Sequence, residues 1–248
     1  MGREVAVVMP VRNRETVLPQ VLDAIERQTY DHDDIILYFL THDNYDRTLH
    51  ILSRFMERNA MNFASISIET MDLGTPPDKR DAEHRQRHIR PTMAWVFNRC
   101  LMWGFNHSRD FIFFLPSDHV IPDDAIEKLV MVCNPKSRRR VHVVAPLDMT
   151  IERNDDGDVV DIRTNVWSER GVNVRDVKWD GKQKVLEAPY VTGPIFYHKD
   201  VILFGARFRA DENEDSTFFE FDYIDKIKSH GLRVYVCPGV VSEHLLCS

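Results

Sequence analysis

Val5 to Tyr30 read VAVVMPVRNRETVLPQVLDAIERQTY. The run Val5 to Met9 is apolar throughout, with no polar alternation, and so suits a strand buried on both faces. It breaks at Pro10-Val11-Arg12-Asn13-Arg14, after which Val17, Leu18, Val21, Leu22 and Ile25 recur at the spacing of one helical face. A strand, a polar turn and an amphipathic helix form half of a βαβ unit. The pattern repeats along the chain. Further apolar runs lie at Ile35 to Leu40, Ala64 to Ile68, Phe111 to Leu115 and Val141 to Ala145. Between them run helical stripes: Leu49, Leu52, Phe55 and Met56; then Met93, Val96, Phe97, Cys100 and Leu101, ending near Gly104. Last come Ile126, Leu129, Val130 and Cys133, entered through Pro122-Asp123-Asp124. Such alternation predicts an α/β fold, a largely parallel sheet covered by helices on both faces.

From Leu147 to about Lys184 the pattern gives way to charged and polar residues, and Asn154-Asp155-Asp156-Gly157-Asp158 predicts a hairpin tip. A strand-like Val191, a helix from about Thr217 to His230 stopped by Gly231, and a strand from Leu232 to Val236 follow. The chain has 248 residues, 43% hydrophobic and 29% charged, with 32 Lys plus Arg against 39 Asp plus Glu. That composition suits one large domain or two intimate ones. A net charge of −7 argues against a protein that coats nucleic acid through its charge. Local basic stretches exist at Lys79 to Arg90 and Arg138 to Arg140. No run approaches the roughly 18 apolar residues of a membrane span, and the N-terminal residues do not form a secretory signal. Four cysteines without a CxxC pair give neither a disulfide framework nor a zinc knuckle. The expected setting is the reducing cytoplasm.

Parallel sheets bind ligands at the carboxyl ends of their strands. The first turn has no glycine, so the dinucleotide fingerprint is missing, and neither a Walker A sequence nor a GxSxG elbow occurs. Instead the strand ends carry polar and acidic residues: Thr41-His42-Asp43-Asn44, then Pro116-Ser117-Asp118-His119. Late in the chain come Thr192-Gly193-Pro194, Glu220 and Asp222, and Ser242-Glu243-His244. Carboxylates and an imidazole in such places suit a divalent ion held against a diphosphate. Asp118 follows a long apolar run, where an unpaired carboxylate is costly, so it is read as functional. His119 is read as incidental. Trp95, Phe97 and Trp103 are read as core.

The opening stretch resembles the GT-A superfamily of nucleotide-sugar glycosyltransferases, in its family 2 form: a hydrophobic strand, a Pro-x-x-Asn turn and a helix ending in Gln-Thr-Tyr. FIFFLPSDHVIPDDAIEKLV stands where that superfamily carries its metal-binding DxD. VTGPIFYHKDVI and FFEFDYIDKIKSHGLRVYVCPGVVSEH look like its acceptor-side glycine, acidic helix and terminal histidine. Within the superfamily, TYDHDDIILYFLTHDNYDRTLHIL and DFIFFLPSDHVI look most like the collagen galactosyltransferases and next like the Golgi mannan-synthesising mannosyltransferases. The sequence departs at one position, where Pro116 replaces the first Asp of DxD.

The resemblance implies a GT-A fold, a three-layer α/β/α Rossmann-like sheet with an acceptor-side β-rich C-terminal portion. Residues 1–146 would bind the nucleotide sugar and 147–248 the acceptor, within one domain. It implies donor contacts from Pro10, Arg12, Asn13, Asp43, Asn44, Arg85, Ser117 and Asp118. Asp118 and His244 would hold Mn2+ or Mg2+, with Mn2+ favoured. Glu220 falls on the position of the catalytic base and Asp222 on the second acidic position; two acids early in a helix are also favoured by its dipole. The implied reaction transfers a sugar from a nucleotide diphosphate, a uridine one in the first instance, to a hydroxyl of a glycan or protein. Inversion is expected, although the mannan-like resemblance implies retention and a guanosine donor. Two alternatives stand beside it. One is glycosylation of a hydroxymethylated DNA base, with Lys79 to Arg90 holding phosphates. The other is a sugar-nucleotide binder without turnover, motivated by Pro116.

Overall fold

The computed structural model describes residues 2–79, 85–137, 140–153, 159–170, 172–209 and 219–245. In chain order its main elements are β1 (Val5–Val11), α1 (Leu18–Glu26), β2 (Ile35–His42), α2 (Thr48–Asn59), β3 (Ser65–Met71), α3 (Arg90–His107), β4 (Phe111–Phe114), β5 (His119–Val120) and α4 (Ala125–Val132). There follow β6 (Val143–Arg153), β7 (Val159–Thr164), β8 (Val166–Glu169), β9 (Val172–Asn173), β10 (Leu186–Glu187), β11 (Tyr190–Val191), β12 (Ile195–His198), α5 (Phe219–Ser229) and β13 (Val234–His244).

The main sheet runs β10-β13-β6-β12-β4-β1-β2-β3. β4, β1, β2 and β3 are mutually parallel, as the strand and helix alternation requires. Their side chains divide by period 2 between two cores. Val5, Val7 and Met9 pack with α1, α2 and α4 on one face. Ala6 and Val8 pack with α3 and α5 on the other. The expected three layers follow directly from strands apolar on both faces. α3 continues past Gly104 to His107 rather than ending there. The glycine is needed for approach: a Cβ on it would stand 2.9 Å from Ile112 Cγ2 and 3.1 Å from Val8 Cγ1.

The C-terminal half departs from a simple parallel continuation. β12, within the stretch PIFYHKD, inserts antiparallel between β4 and β6. β6 extends to Arg153 and turns back as β7 across the expected hairpin, whose tip lies outside the described residues. The boundary drawn between residues 146 and 147 falls inside β6, so both halves share one sheet. The last strand reaches His244 instead of stopping at Val236, and a small sheet β11-β8-β9 packs beside it. Cys100, Cys133 and Cys237 are free and buried. No described helix is long and apolar enough to cross a membrane.

Candidate active site at the strand tips

The tips of β1 and β2 are tied into one surface. Asn13 takes a left-handed backbone (φ 52°), which asparagine tolerates better than most residues. Its N–H donates to Asn44 Oδ1 at 2.9 Å, and its Oδ1 accepts from the Tyr45 N–H at 2.8 Å. Arg12 reaches across to the loop after β3, donating to the carbonyls of Thr75 and Pro76 at 2.8 and 2.7 Å. The guanidinium also lies over the Tyr45 ring. Pro10 is a strand residue paired with Leu40.

Asp43 is committed to its own chain. Its Oδ1 accepts from the Leu73 N–H at 3.1 Å, and its Oδ2 accepts from the Thr75 N–H and from His42 Nδ1, each at 3.0 Å. Burial opposes its charge, but the hydrogen bonds from His42, Thr75 and Leu73 outweigh burial and hold the carboxyl well below the usual carboxylate range. Asp43 thus shapes the surface beside the β2 tip: its acceptor sites order the 73–75 loop. A carboxyl depressed in the folded state adds stability that is full above its unfolded value, about 3.9, and lost as pH falls toward the folded value. Asp43→Asn is therefore expected to cost about 1–3 kcal/mol near neutrality and less in acid. Denaturant unfolding of both proteins between pH 7 and pH 2.5 checks this; a constant gap across that range would refute it.

The β4 tip carries the second group. Asp118 Oδ1 faces His119 Nδ1 at 2.9 Å, and Asp118 Oδ2 accepts from Arg14 Nη2 at 3.1 Å. His119 Nε2 faces Asp148 Oδ2 at 3.2 Å, so the ring lies between two carboxylates. Burial works against its charge, yet Asp148 and Asp118 together push its pKa up to about 10. Burial likewise opposes ionisation of Asp118, and His119, His244 and Arg14 overcome it, keeping the carboxyl well below its ordinary range. His119, incidental on the sequence alone, is the centre of the cluster. The missed signal is a histidine directly after an acid at a strand end, with Asp148 far off in sequence. Ser117 is buried beside this group.

β13 delivers the rest by register. His119 stands opposite His244 across the β5-β13 pair, and the two rings stack at 4.5 Å. On the other side His244 stands opposite Thr150 and Ser242 opposite Asp148. Thr150 Oγ1 holds His244 Nδ1 at 3.0 Å, leaving Nε2 toward Asp118 Oδ2 at 3.8 Å. Ser242 Oγ donates to Asp148 Oδ1 at 2.6 Å. Asp118, His119 and His244 are the group among the described residues able to converge on a metal ion. His119 has a carboxylate at each nitrogen and, once protonated, no lone pair to give. Asp118 and His244 do fit a divalent ion, and the Thr150 contact orients His244 as ligating histidines are usually oriented. Magnesium-like ions take few protein ligands and complete their shell with water and substrate phosphate.

Across from this cluster lies α5. Asn165, buried, ties the region together: it accepts from the Asp148 N–H and donates to the carbonyls of Pro146 and Thr192. Next to Thr192, Gly193 has φ +75°, and a Cβ there would stand 3.1 Å from His119 Nε2. The Gly193 N–H donates to Glu220 Oε1 at 3.3 Å. Burial raises the Glu220 pKa, and Asp118 adds to it against the opposing Gly193 N–H, His119 and His244. The neighbouring Phe221 ring packs on Trp167 and Tyr190. Of Phe219 only the backbone is described.

The other two expected residues lie elsewhere. Asp222 is bound by Arg170 Nη2 at 2.6 Å, the same nitrogen that holds Asp225. Residues two apart on a helix point in different directions, so Asp222 anchors α5 to the β8 region instead of facing the site. Arg85 is exposed and paired with Asp78 at 3.1 Å, in the turn leading into α3, with no described contact to Asp118.

Solved structures share this architecture. S. aureus TarS superposes with a TM-score of 0.63 at 12% identity, covering 98% of this chain and 37% of that one. TarS residues 1–349 in complex with UDP-GlcNAc gives 0.62 at 13% identity, covering 99% and 60%. The fold is therefore the GT-A glycosyltransferase fold. Among curated proteins, a glycosyltransferase 25 family member of Aedes aegypti is 26% identical over 146 residues, 58% of this chain and 23% of the relative. A Mus musculus protein named inactive glycosyltransferase 25 family member 3 is 23% identical over 144 residues, with the same coverage. The chain spans about a quarter of the length of these relatives. The family model described as Anp1 matches residues 2–184, and on that match the chain belongs to the Anp1 family.

Proposed function

We propose that this protein transfers a sugar from a nucleotide diphosphate, a uridine one in the first instance, to a hydroxyl acceptor. The observation that carries the reading is the facing of two unlike groups across Gly193: a cation-rich cluster around Asp118 on one side, and Glu220 with raised proton affinity on the other. The first suits a departing diphosphate and the second an acceptor hydroxyl that must lose its proton. Family membership supports this reading, as does the UDP-GlcNAc complex of the similarly folded TarS.

In this reading the nucleoside lies over the joined β1 and β2 tips, where Arg12, Asn13 and Asn44 frame the surface and Asp43 holds the 73–75 loop. The diphosphate passes Arg14 toward Asp118. Asp118 and His244 would hold Mn2+ or Mg2+, which would supply neutralisation of the charge developing on the leaving diphosphate. Glu220 takes the acceptor proton on the opposite side, the arrangement for inversion.

A panel of nucleotide sugars with and without Mn2+, read by thermal unfolding, tests the donor. A ligand at 100 times its Kd stabilises by about 2.7 kcal/mol, roughly 5–10 °C for a chain of this size. The UDP-sugars are expected to give that shift; no shift with any nucleotide sugar would end the proposal. The second reading, a binder without turnover, is favoured by Pro116 and by the inactive relative. Donor binding without nucleotide release, whatever acceptor is offered, would select it.

A further inference from the structure

The β1–α1 turn lies between the tips of β2 and β4, because β1 is paired to both strands. Arg12 turns toward the β2 side, and Arg14 turns toward Asp118. The Arg14 guanidinium is only partly satisfied. Nη2 donates to Asp118 Oδ2 at 3.1 Å, and Nη1 makes two long contacts, 3.3 and 3.2 Å, to the carbonyls of Arg12 and Asn13 in its own turn. Its Nε is buried with no acceptor. A buried N–H without a partner is costly, and such an orphan points to an acceptor that arrives from outside.

The Asp118 oxygen that Arg14 holds is the one His244 Nε2 faces at 3.8 Å. Those two atoms are the ones suited to a divalent ion, so guanidinium and metal compete for one carboxylate oxygen. Pro116 stands two residues before Asp118, at the position where a second carboxylate would otherwise share the load. A diphosphate offers several anionic oxygens, and two of them can accept together from the planar fork of a guanidinium.

We propose that Arg14 is a phosphate-responsive latch on Asp118: without donor it occupies the metal-binding oxygen, and a nucleotide diphosphate draws it away, so that metal and donor bind cooperatively. The inference rests on the donor reading above. Coupling of this kind is reciprocal, so the factor by which the nucleotide tightens the metal is the factor by which the metal tightens the nucleotide.

Mn2+ titration of the full chain, with free Mn2+ read by electron paramagnetic resonance, tests it. The Mn2+ affinity of UDP itself is measured alongside and subtracted. In the wild type, UDP is expected to tighten Mn2+ binding about tenfold or more, and uridine not at all. Arg14→Gln is expected to bind Mn2+ about tenfold more tightly without nucleotide, and to lose most of the UDP effect. Arg14→Lys, which keeps the charge without the fork, should fall between and serves if the glutamine variant does not fold. Equal nucleotide-free Mn2+ affinity in wild type and variant would overturn the latch. UDP binding without any Mn2+ coupling would also overturn it, while leaving the donor reading intact. Failure of the wild type to bind UDP or any UDP-sugar would remove both.

Discussion

Glu220→Gln is expected to lower turnover by about 10²-fold or more while leaving donor affinity near that of the wild type. Glutamine keeps the shape and the contact from the Gly193 N–H but cannot accept a proton, so only the transfer step should suffer. The position of the residue makes the effect specific. It opens α5, sits across Gly193 from His119, and has its proton affinity raised mainly by burial. Asp222→Asn is the matched control. Its carboxylate is already bound by Arg170, so loss of its charge should loosen α5 and leave turnover within a few-fold. Single-turnover assays with saturating UDP-sugar separate the two. Normal turnover in Glu220→Gln with a collapse in Asp222→Asn would move the role to Asp222, and normal turnover in both would remove the base assignment.

Asp118→Asn is expected to abolish the Mn2+-dependent part of nucleotide binding and also to cost stability. One carboxylate serves Arg14, His119 and His244, and the site is mostly shielded, with side-chain exposures of 15% for Asp118 and 7% for His119. Removing one partner of a shielded pair leaves the other charge uncompensated, at about 3 kcal/mol or more. Calorimetric titration with UDP and Mn2+, together with denaturant unfolding, reads both effects. Asp148→Asn makes the comparison decisive. It too strips a carboxylate from His119, so it should lower stability similarly, but it should leave the Mn2+ dependence in place. If Asp118→Asn retained metal-dependent affinity, the metal assignment would fall whatever the change in stability.

Much of the architecture was legible along the chain. The parallel half was readable because fully buried strands must be apolar on both faces, and amphipathic helices must show period 3.6; both are local consequences of burial. Asp118 stood out for the same reason, as a charge at the end of an apolar run. Glu220 was singled out only through the family resemblance, as the residue on the base position of the helix that Gly231 stops. His119, Asp148 and Arg14 could not be ranked this way, since each owes its role to partners distant in sequence: His119 to Asp148, and Arg14 to Asp118. Nor could the duties of Asp43 and Asp222 be foreseen, because an acid in a turn or a first helical turn looks the same whether it faces a ligand or its own chain.

The clearest division lies in β13. The sequence determined by itself that a strand runs close to Leu232 to Val236, of which Val234 to Val236 form the buried start of β13. It did not determine which later side chains face the site. Cys237 stands opposite Pro146 and Val241 opposite Leu147, so Pro238, Gly239 and Val240 have no partners. An odd number of unpaired residues reverses the alternation of the strand. Ser242 and His244 therefore join Asp148 and Thr150 on one face, while Val241 is left 47% exposed. A period-2 pattern reports which residues are apolar, but the face each one takes is set by the strand it pairs with. The place of His244 beside Asp118 was thus decided only when β13 found its register on β6.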